Sequence, residues 1–444
     1  MADALRERDL TDGSLASHLL RLWAPMTWGV AMVMSVALVD TFFVGRYGEK
    51  PLTALGFAFP MQMVLTSLGI GLSAAATSLV AKARGRDETK LARRHARNVL
   101  AVAVGVATLV ALAGAIAAPA IFRSQGASGE SLELVTSFMR LWLIGLPFLV
   151  FGIVSNGIMR AEGESSRAAL VMTTTAIVNA ALDPVFIFGL GPIPEFGLDG
   201  AAFASIIARL AMAGIAVWFL LRDGRSIATH LQLGSSDRFA EIGQIAAPAA
   251  ASNMINPLGL AALTAALALI SEQAVAAFGV GSRVLNFAQV PLLGLSAAIG
   301  PLIGQNYGAD LSERVRGALM LCLKIIVGYT ALLAVALALF GGQVTALFTE
   351  SQTIADQAAL FLIIVPASVF GYGALIVVIG ALNAAGKPMP GTIAASIRMF
   401  VVTIPLAFLA AYLLDVWAVY AALAIGNVLG GAAALIAARR EGLL

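Results

Sequence analysis

Two aspartates lie inside long apolar stretches of the chain, where a charged side chain is unusual. Asp40 lies in the first stretch and Asp183 in a later one, with Asn179 one helical turn before it on the same face. A charged aspartate near the bilayer centre costs about 3 kcal/mol on insertion scales. Since carboxyl and amide groups in such a place bind protons or small cations, we predict that Asp40, Asn179 and Asp183 form a polar site that binds a proton or a cation.

A purely structural explanation stays open, because a carboxyl near the membrane interface can simply cap or bond a neighbouring helix. The depths of the two aspartates favour a joint role. Counted at about 1.5 Å per helical residue from the outer ends of their spans, Asp40 and Asp183 differ in level by only about 5 Å. Two carboxyls at one level interact, so we expect the pair to titrate as a unit.

The composition is that of a membrane protein with little other chemistry available. Of 444 residues 59% are hydrophobic and 12% charged, and the mean hydropathy is +0.90. One cysteine, Cys322, excludes a disulfide within the chain and a thiolate metal cluster. The three histidines, His18, His95 and His230, fall outside the apolar stretches. We therefore expect no metal, no cofactor and no enzymatic activity.

The apolar stretches are long, continuous and rich in Ala, Leu, Val and Gly, which indicates helices that cross the bilayer rather than a β-barrel. Twelve such spans are predicted, so the fold class is all-α integral membrane. The predicted spans cover residues 19–44, 53–81, 98–122, 134–159, 168–191, 198–221, 243–270, 275–304, 315–341, 357–382, 389–413 and 416–438.

Basic residues lie mainly on one side of this arrangement, which predicts that both termini are cytoplasmic and that the chain is a multi-pass protein of the plasma (inner) membrane. Lys387 and Arg398 are counted among these loop residues. The basic loops indicate orientation rather than nucleic-acid binding. Arg209 and Arg283 fall inside apolar spans, and the sequence assigns them no role.

The chain repeats itself after 223 residues. The run Gly71-Leu72-Ser73-Ala74 recurs as Gly294-Leu295-Ser296-Ala297, since 71 + 223 = 294, and the same shift places Pro25 on Pro248. The predicted domains are a six-helix lobe at 1–221, a cytoplasmic linker at 222–242 and a second six-helix lobe at 243–444. Because six is even, the two bundles are parallel, and such a repeat is typical of transporters.

The two copies differ in their buried acids. Asp40 corresponds to Leu263 and Asp183 to Leu406, so ion chemistry is expected in the first lobe only. In the first span, Pro25 and Gly29 are candidates for a helix hinge, although a proline in a membrane helix is also commonly just tolerated. Met172 and Thr175 are candidates for the wall of a substrate cavity, with ordinary packing as the alternative for the methionine.

Four segments resemble the multidrug and toxic compound extrusion (MATE) family: Val39–Gly45, Met159–Gly163, Leu182–Pro184 and Pro301–Gly308. Acids confined to the first lobe resemble its DinF-like branch. The resemblance implies inward V-shaped lobes and export of amphipathic, often cationic compounds in exchange for protons or Na⁺. It also implies that Asp40, Asn179 and Asp183 couple the cation, that Asn156 lines the cavity, and that Pro25 and Gly29 let the first span bend.

One departure from the family bears on the coupling ion. A hydroxyl residue at the start of the sixth span often joins the network, but the matching stretch here is Asp199-Gly200-Ala201-Ala202, which favours protons over sodium. We expect a monomer that handles small molecules in the lipid bilayer. The alternatives are a lipid-linked oligosaccharide flippase of the same superfamily, a channel and, least favoured, a membrane-embedded enzyme.

Overall fold

A computed structural model of the chain describes residues 9–222, 236–349 and 351–444. In these segments the chain is helical almost throughout. The helices are α1 Leu15–Tyr47, α2 Glu49–Gly85, α3 Thr89–Ser124, α4 Gly129–Ile144, α5 Leu146–Ala161, α6 Ser165–Phe188, α7 Leu198–Arg222, α8 Ser236–Ala268, α9 Glu272–Ala288, α10 Val290–Gly308, α11 Ser312–Ala346, α12 Gln352–Ile364, α13 Val369–Ala384, α14 Pro388–Ser396, α15 Ile404–Leu413 and α16 Val416–Arg440.

These helices form twelve apolar spans in the described residues, which confirms the predicted fold class. Two spans are bent pairs, α4 with α5 at 49° and α9 with α10 at 44°. Both breaks precede a proline, Pro147 and Pro291, whose missing N–H weakens the helical ladder there. The predicted linker at 222–242 lies mostly outside the described residues, and α8 begins at Ser236.

The eleventh span differs from its prediction at Arg398. The sequence placed this residue with the cytoplasmic loops, but it lies ten residues after Pro388 in a π-helical turn, Ile397–Thr403, that joins α14 to α15. At about 1.5 Å per residue this is roughly 15 Å into the span. Arg398 is therefore a buried cation inside the membrane domain rather than a determinant of topology.

Two hydrophobic cores correspond to two lobes. The first core is built mainly from α2 to α7 and the second mainly from α9 to α16. The start of α1 is an exception, because Leu19 and Leu22 belong to the second core while Val44, near the other end of the same helix, belongs to the first. Helix α1 thus crosses from one lobe to the other along its length.

Glycines bring the two lobes into close contact along α2 and α10, and the contacts obey the repeat. A Cβ atom on Gly71 would lie 2.7 Å from Ala250 Cβ, and one on Gly294 would lie 2.8 Å from Thr27 Cα. The two contacts are related by the offset of the repeat, since 71 + 223 = 294 and 27 + 223 = 250. The contact between Gly71 and Ala250 is therefore equivalent to the contact between Gly294 and Thr27, and a pseudo-two-fold axis relates the two.

A second pair of contacts repeats the pattern 14 residues further along α2 and α10. Gly85 packs against the backbone of Gln305, and Gly308 packs against the backbone of Lys82. Again 85 + 223 = 308 and 82 + 223 = 305. We call these two pairs of glycine contacts the glycine seam, formed by Gly71, Gly85, Gly294 and Gly308. The seam joins the lobes in the half of the bilayer that faces the predicted cytoplasm.

The segment Pro301–Gly308, on which part of the family resemblance rests, completes this contact. Gln305 donates from Nε2 to the Ala161 carbonyl of the first lobe at 2.8 Å, and its Oε1 accepts from the Leu10 amide at 3.0 Å. Asn306 also holds Leu10, donating from Nδ2 to its carbonyl at 3.0 Å. The segment therefore bridges the second lobe to the first lobe and to the N-terminal segment.

Candidate functional site

Helices α1 and α6 carry the predicted coupling residues and pack tightly against each other. The close approach depends on Gly29, where a Cβ atom would lie 3.0 Å from Met172 Sδ and 3.2 Å from Ala169 Cα. On α6, Met172, Thr175, Asn179 and Asp183 follow one another at spacings of three and four, so they form one stripe on the helix face. The two helices thus bring Asp40 to the stripe that ends in Asp183.

The structure places Asp40, Asn179 and Asp183 close together in the first lobe, while their role in binding and coupling a cation stays a prediction. The carboxyls of Asp40 and Asp183 lie within hydrogen-bonding reach of each other. Asn179 donates from Nδ2 to Asp183 Oδ1 at 3.2 Å, and both Asn179 and Asp183 are buried. The site is enclosed in the first lobe and contains two acids and an amide.

Two oxygens of this acid pair lack donors. Asp40 Oδ1 and Asp183 Oδ2 are enclosed, and neither has a hydrogen-bond partner among the described residues. A buried carboxylate oxygen without a donor is costly, and two carboxylates in contact repel one another. A single proton held between the two carboxyls would relieve both costs, so the geometry suits a shared proton.

Arg209 is the residue of this site that sequence reasoning did not assign. It is buried on α7 and lies close enough to Asp40 to interact with its charge. Its Nη1 donates to the Trp142 carbonyl at 3.0 Å, and its guanidinium lies 4.0 Å from the centre of the Trp142 ring. Trp142 stands just before the break between α4 and α5. The available signal was an arginine in an apolar span, which indicates a buried partner.

Two residues predicted to line a substrate cavity, Thr175 and Asn156, differ in burial and in hydrogen bonding. Thr175 is half-buried, and its hydroxyl donates to the Val171 carbonyl of its own helix at 2.7 Å. Asn156 is buried on α5, and its Oδ1 has no partner among the described residues. No hydrogen bond links Asn156 to the acid pair in the described part of the chain. Its place in a cavity stays a prediction.

The predicted hinge residues lie in an uninterrupted helix. α1 runs from Leu15 to Tyr47 through Pro25, which is half-buried. Gly29 has a second, observed role in packing against α6. Bending at Pro25 and Gly29 therefore stays a prediction.

The start of the sixth span does not supply a hydroxyl to the acid pair. Asp199 Oδ2 accepts from Ser137 Oγ on α4 at 2.6 Å, and Gly200 packs against the backbone of Phe186. Ala201 and Ala202 follow. In addition, no group of three His, Cys, Asp or Glu side chains comes together as a metal site within residues 9–222, 236–349 and 351–444.

One protein-family model matches both halves of the chain. The family model described as MatE matches twice, at residues 25–185 and 248–409. The two matches begin 223 residues apart, since 25 + 223 = 248, which is the offset of the internal repeat. The matched segments together span more than half of the chain.

Three individual proteins are similar to this chain. A protein named FAD transporter from Shewanella oneidensis is 32% identical over 436 residues, covering 97% of this chain and 96% of that protein. A Bacillus subtilis protein named probable multidrug resistance protein YoeA is 23% identical over 399 residues, covering 87% and 86%. The crystal structure of a mutant of the Vibrio cholerae MATE transporter VcmN superposes with a TM-score of 0.92 at 28% identity, covering 96% of this chain and 97% of that one.

Proposed function

Because the chain belongs to the MATE family of membrane transporters, we propose that it is a secondary exporter that moves amphipathic organic compounds out of the cell in exchange for protons. The observation that carries this proposal is the pair of enclosed, donor-free oxygens on Asp40 and Asp183. We further propose that the protein works as a monomer in the plasma (inner) membrane with both termini in the cytoplasm.

In the first state of the proposed cycle, the lobes are in contact at the glycine seam and the acid pair is accessible to protons from the outer side of the membrane. A proton from the outer side enters between Asp40 and Asp183, and the Asn179 hydrogen bond to Asp183 rearranges. Arg209, next to Asp40, favours the ionised state of the pair and so favours release of the proton after the switch. Coupling requires that proton and substrate bind differently to the two access states, because equal binding to both would shift nothing.

Protons rather than sodium are proposed as the driving ion. The stretch Asp199–Ala202 supplies no hydroxyl to the pair, and Asp199 is engaged with Ser137. In proteoliposomes, making the outer side one pH unit more acidic should drive ethidium toward that side to a concentration up to about tenfold higher, since one pH unit supplies about 1.4 kcal/mol per proton exchanged. A sodium gradient at uniform pH should have no effect. Transport driven by sodium alone would contradict proton coupling.

The packing of α1 on α6 offers a separate test of the coupling site. Replacing Gly29 by valine should separate the helices, because the new side chain meets Met172 and Ala169. We expect transport to fall at least about fivefold, since overpacking typically costs about 1–3 kcal/mol. Gly45→Val on the same helix is the control, because its Cβ would meet only Leu52 at 3.7 Å. Equal transport by both variants in proteoliposomes would show that this packing is not needed.

FAD is a second candidate substrate. It is favoured by the 32% identity, over almost the whole chain, to the Shewanella oneidensis protein named FAD transporter. FAD is a planar aromatic compound that carries phosphates, whereas the multidrug substrates expected from the resemblance are often cationic. The two candidates therefore place opposite electrostatic demands on the cavity.

A further inference from the structure

The second lobe contains a buried polar cluster around Arg398. Arg398 donates from Nε to Asn427 Oδ1 at 3.0 Å and from Nη1 to Asn256 Oδ1 at 3.2 Å. Its guanidinium carbon lies 4.7 Å from the centre of the Tyr372 ring. Asn427 in turn donates to Ser368 Oγ at 3.0 Å. Four spans thus contribute side chains to one cationic centre, which we call the Arg398 cluster.

The local backbone is shaped around this arginine. Arg398 stands in the π-helical turn Ile397–Thr403, and its carbonyl accepts from Thr403 Oγ1 at 2.8 Å. Helix α16 comes close to the turn at Gly430, where a Cβ atom would lie 2.6 Å from Arg398 Cβ. π-helical turns are rare and occur frequently at functional sites. The turn and the glycine together hold the guanidinium at one place inside the lobe.

The charge of Arg398 has no acidic partner in the described part of the chain. Its oxygen partners are the neutral amides of Asn256 and Asn427, and Tyr372 supplies the π face of a neutral ring. An arginine inside a membrane domain is costly and pairs with an opposite charge or lines a water-filled cavity. The cluster therefore has an uncompensated positive charge to offer an anion.

One side of the guanidinium remains available. Nε and Nη1 are hydrogen-bonded, while Nη2 bonds to no described residue. Arg398 retains 5% exposure, and Tyr372 beside it is half-buried. A guanidinium presents its N–H groups as a fork that matches phosphate and carboxylate oxygens. Nη2 is therefore the nitrogen left to bond an anion.

The repeat shows that the cluster is specific to the second lobe. Subtracting 223 places Arg398 on Thr175, the residue predicted to line the cavity in the first lobe. The other members correspond to residues that cannot form such a network: Asn256 to Val33, Tyr372 to Leu149 and Asn427 to Ala204. The first lobe carries the acids and the second carries this cation. The positive centre is thus not inherited from the shared scaffold.

We propose that the Arg398 cluster is an anion-binding subsite of the transport cavity that takes the phosphate or carboxylate group of a transported organic compound. This inference rests on the proposed transport function and specifies its substrate class. The anion belongs to the solute rather than to a lipid headgroup, because Arg398 lies roughly 15 Å into its span. Asp40 and Asp183 are then left to the proton, so the anionic group of the substrate and the proton are bound in different lobes.

The test uses two flavins that differ by one phosphate, FMN and riboflavin, with the purified full-length protein in detergent. The wild-type protein should bind FMN at least tenfold more tightly than riboflavin, measured by fluorescence titration. Arg398→Gln should abolish this preference while leaving riboflavin binding unchanged. Arg398→Lys keeps the charge without the fork and should retain part of the preference. Equal binding of FMN and riboflavin by the wild-type protein would overturn the proposal.

A structural role for Arg398 predicts a different outcome. If the arginine only clamps its four spans, Arg398→Gln should lower the melting temperature and weaken both flavins alike, and that result would overturn the proposal. Proton-driven ethidium transport separates this inference from the proposed function. If the wild-type protein transports neither ethidium nor FMN, the proposed function is wrong. The binding preference for FMN over riboflavin would still test the anion-binding subsite.

Discussion

Replacing Asp183 by asparagine should abolish proton-driven export while leaving the protein folded. Asparagine keeps the size of the side chain and an oxygen that can accept from Asn179, so packing is preserved. It cannot exchange a proton with Asp40, so the switch between access states loses its driving ion. We expect ethidium transport in proteoliposomes to fall at least about tenfold, within the range of typical coupling energies. Asp40→Asn should behave in the same way.

The matched control for these variants is Asp356→Asn. Asp356 is exposed at the start of α12 and accepts only from Gln352 in its own helix at 2.8 Å. This variant should transport at the wild-type rate, which separates the effect of the acid pair from a general effect of charge. Thermal unfolding should be similar for all variants. Wild-type transport by both Asp40→Asn and Asp183→Asn would exclude the acid pair as the coupling site.

Replacing Gly85 by valine should prevent the lobes from closing at the glycine seam. Gly85 packs directly against the backbone of Gln305, which cannot move aside as a flexible side chain would. Overpacking costs about 1–3 kcal/mol, and each 1.4 kcal/mol changes an equilibrium tenfold. The population should therefore move toward the state open at the seam, and transport should fall at least about fivefold.

The opening of the seam can be followed by thiol labelling. Ser78 is buried there and donates to the Ala384 carbonyl at 2.9 Å, so Ser78→Cys reports on closure. The chain's own Cys322 is buried. Labelling should be at least about fivefold faster in Gly85→Val than in Gly105→Val, a control glycine with open space around its Cβ position. Unchanged labelling together with normal transport would rule out the seam as a gate.

Much of the fold was predictable because its signals are local. Span positions follow from hydropathy, and the repeat follows from identical residues at one offset. The meeting of Asp40 and Asp183 was also predictable, since depth along a helix can be counted. The sequence alone could not show that Gly71 and Gly85, found as matches in the repeat, press against Ala250 and Gln305 of the other lobe.

The two arginine sites show where local reasoning ends. Arg209 was recognised as unusual, but its partner Trp142 is 67 residues away in the sequence. Arg398 was misplaced because it follows Lys387 closely and resembles a loop charge. Its partners Asn256 and Asn427 lie on other spans, at separations of 142 and 29 residues. Contacts of this kind depend on helix packing, which hydropathy does not encode.

The glycine seam has the symmetry of a homodimer whose two subunits have been joined into one polypeptide. In a true homodimer every charge occurs twice, so an acid pair in one subunit would face the same acid pair in the other. Once both copies lie in a single gene, each can mutate alone while the shared contact surface is kept. A single chain can therefore hold an acid pair in one half and the Arg398 cluster in the other, a difference that no symmetric pair of identical chains can have.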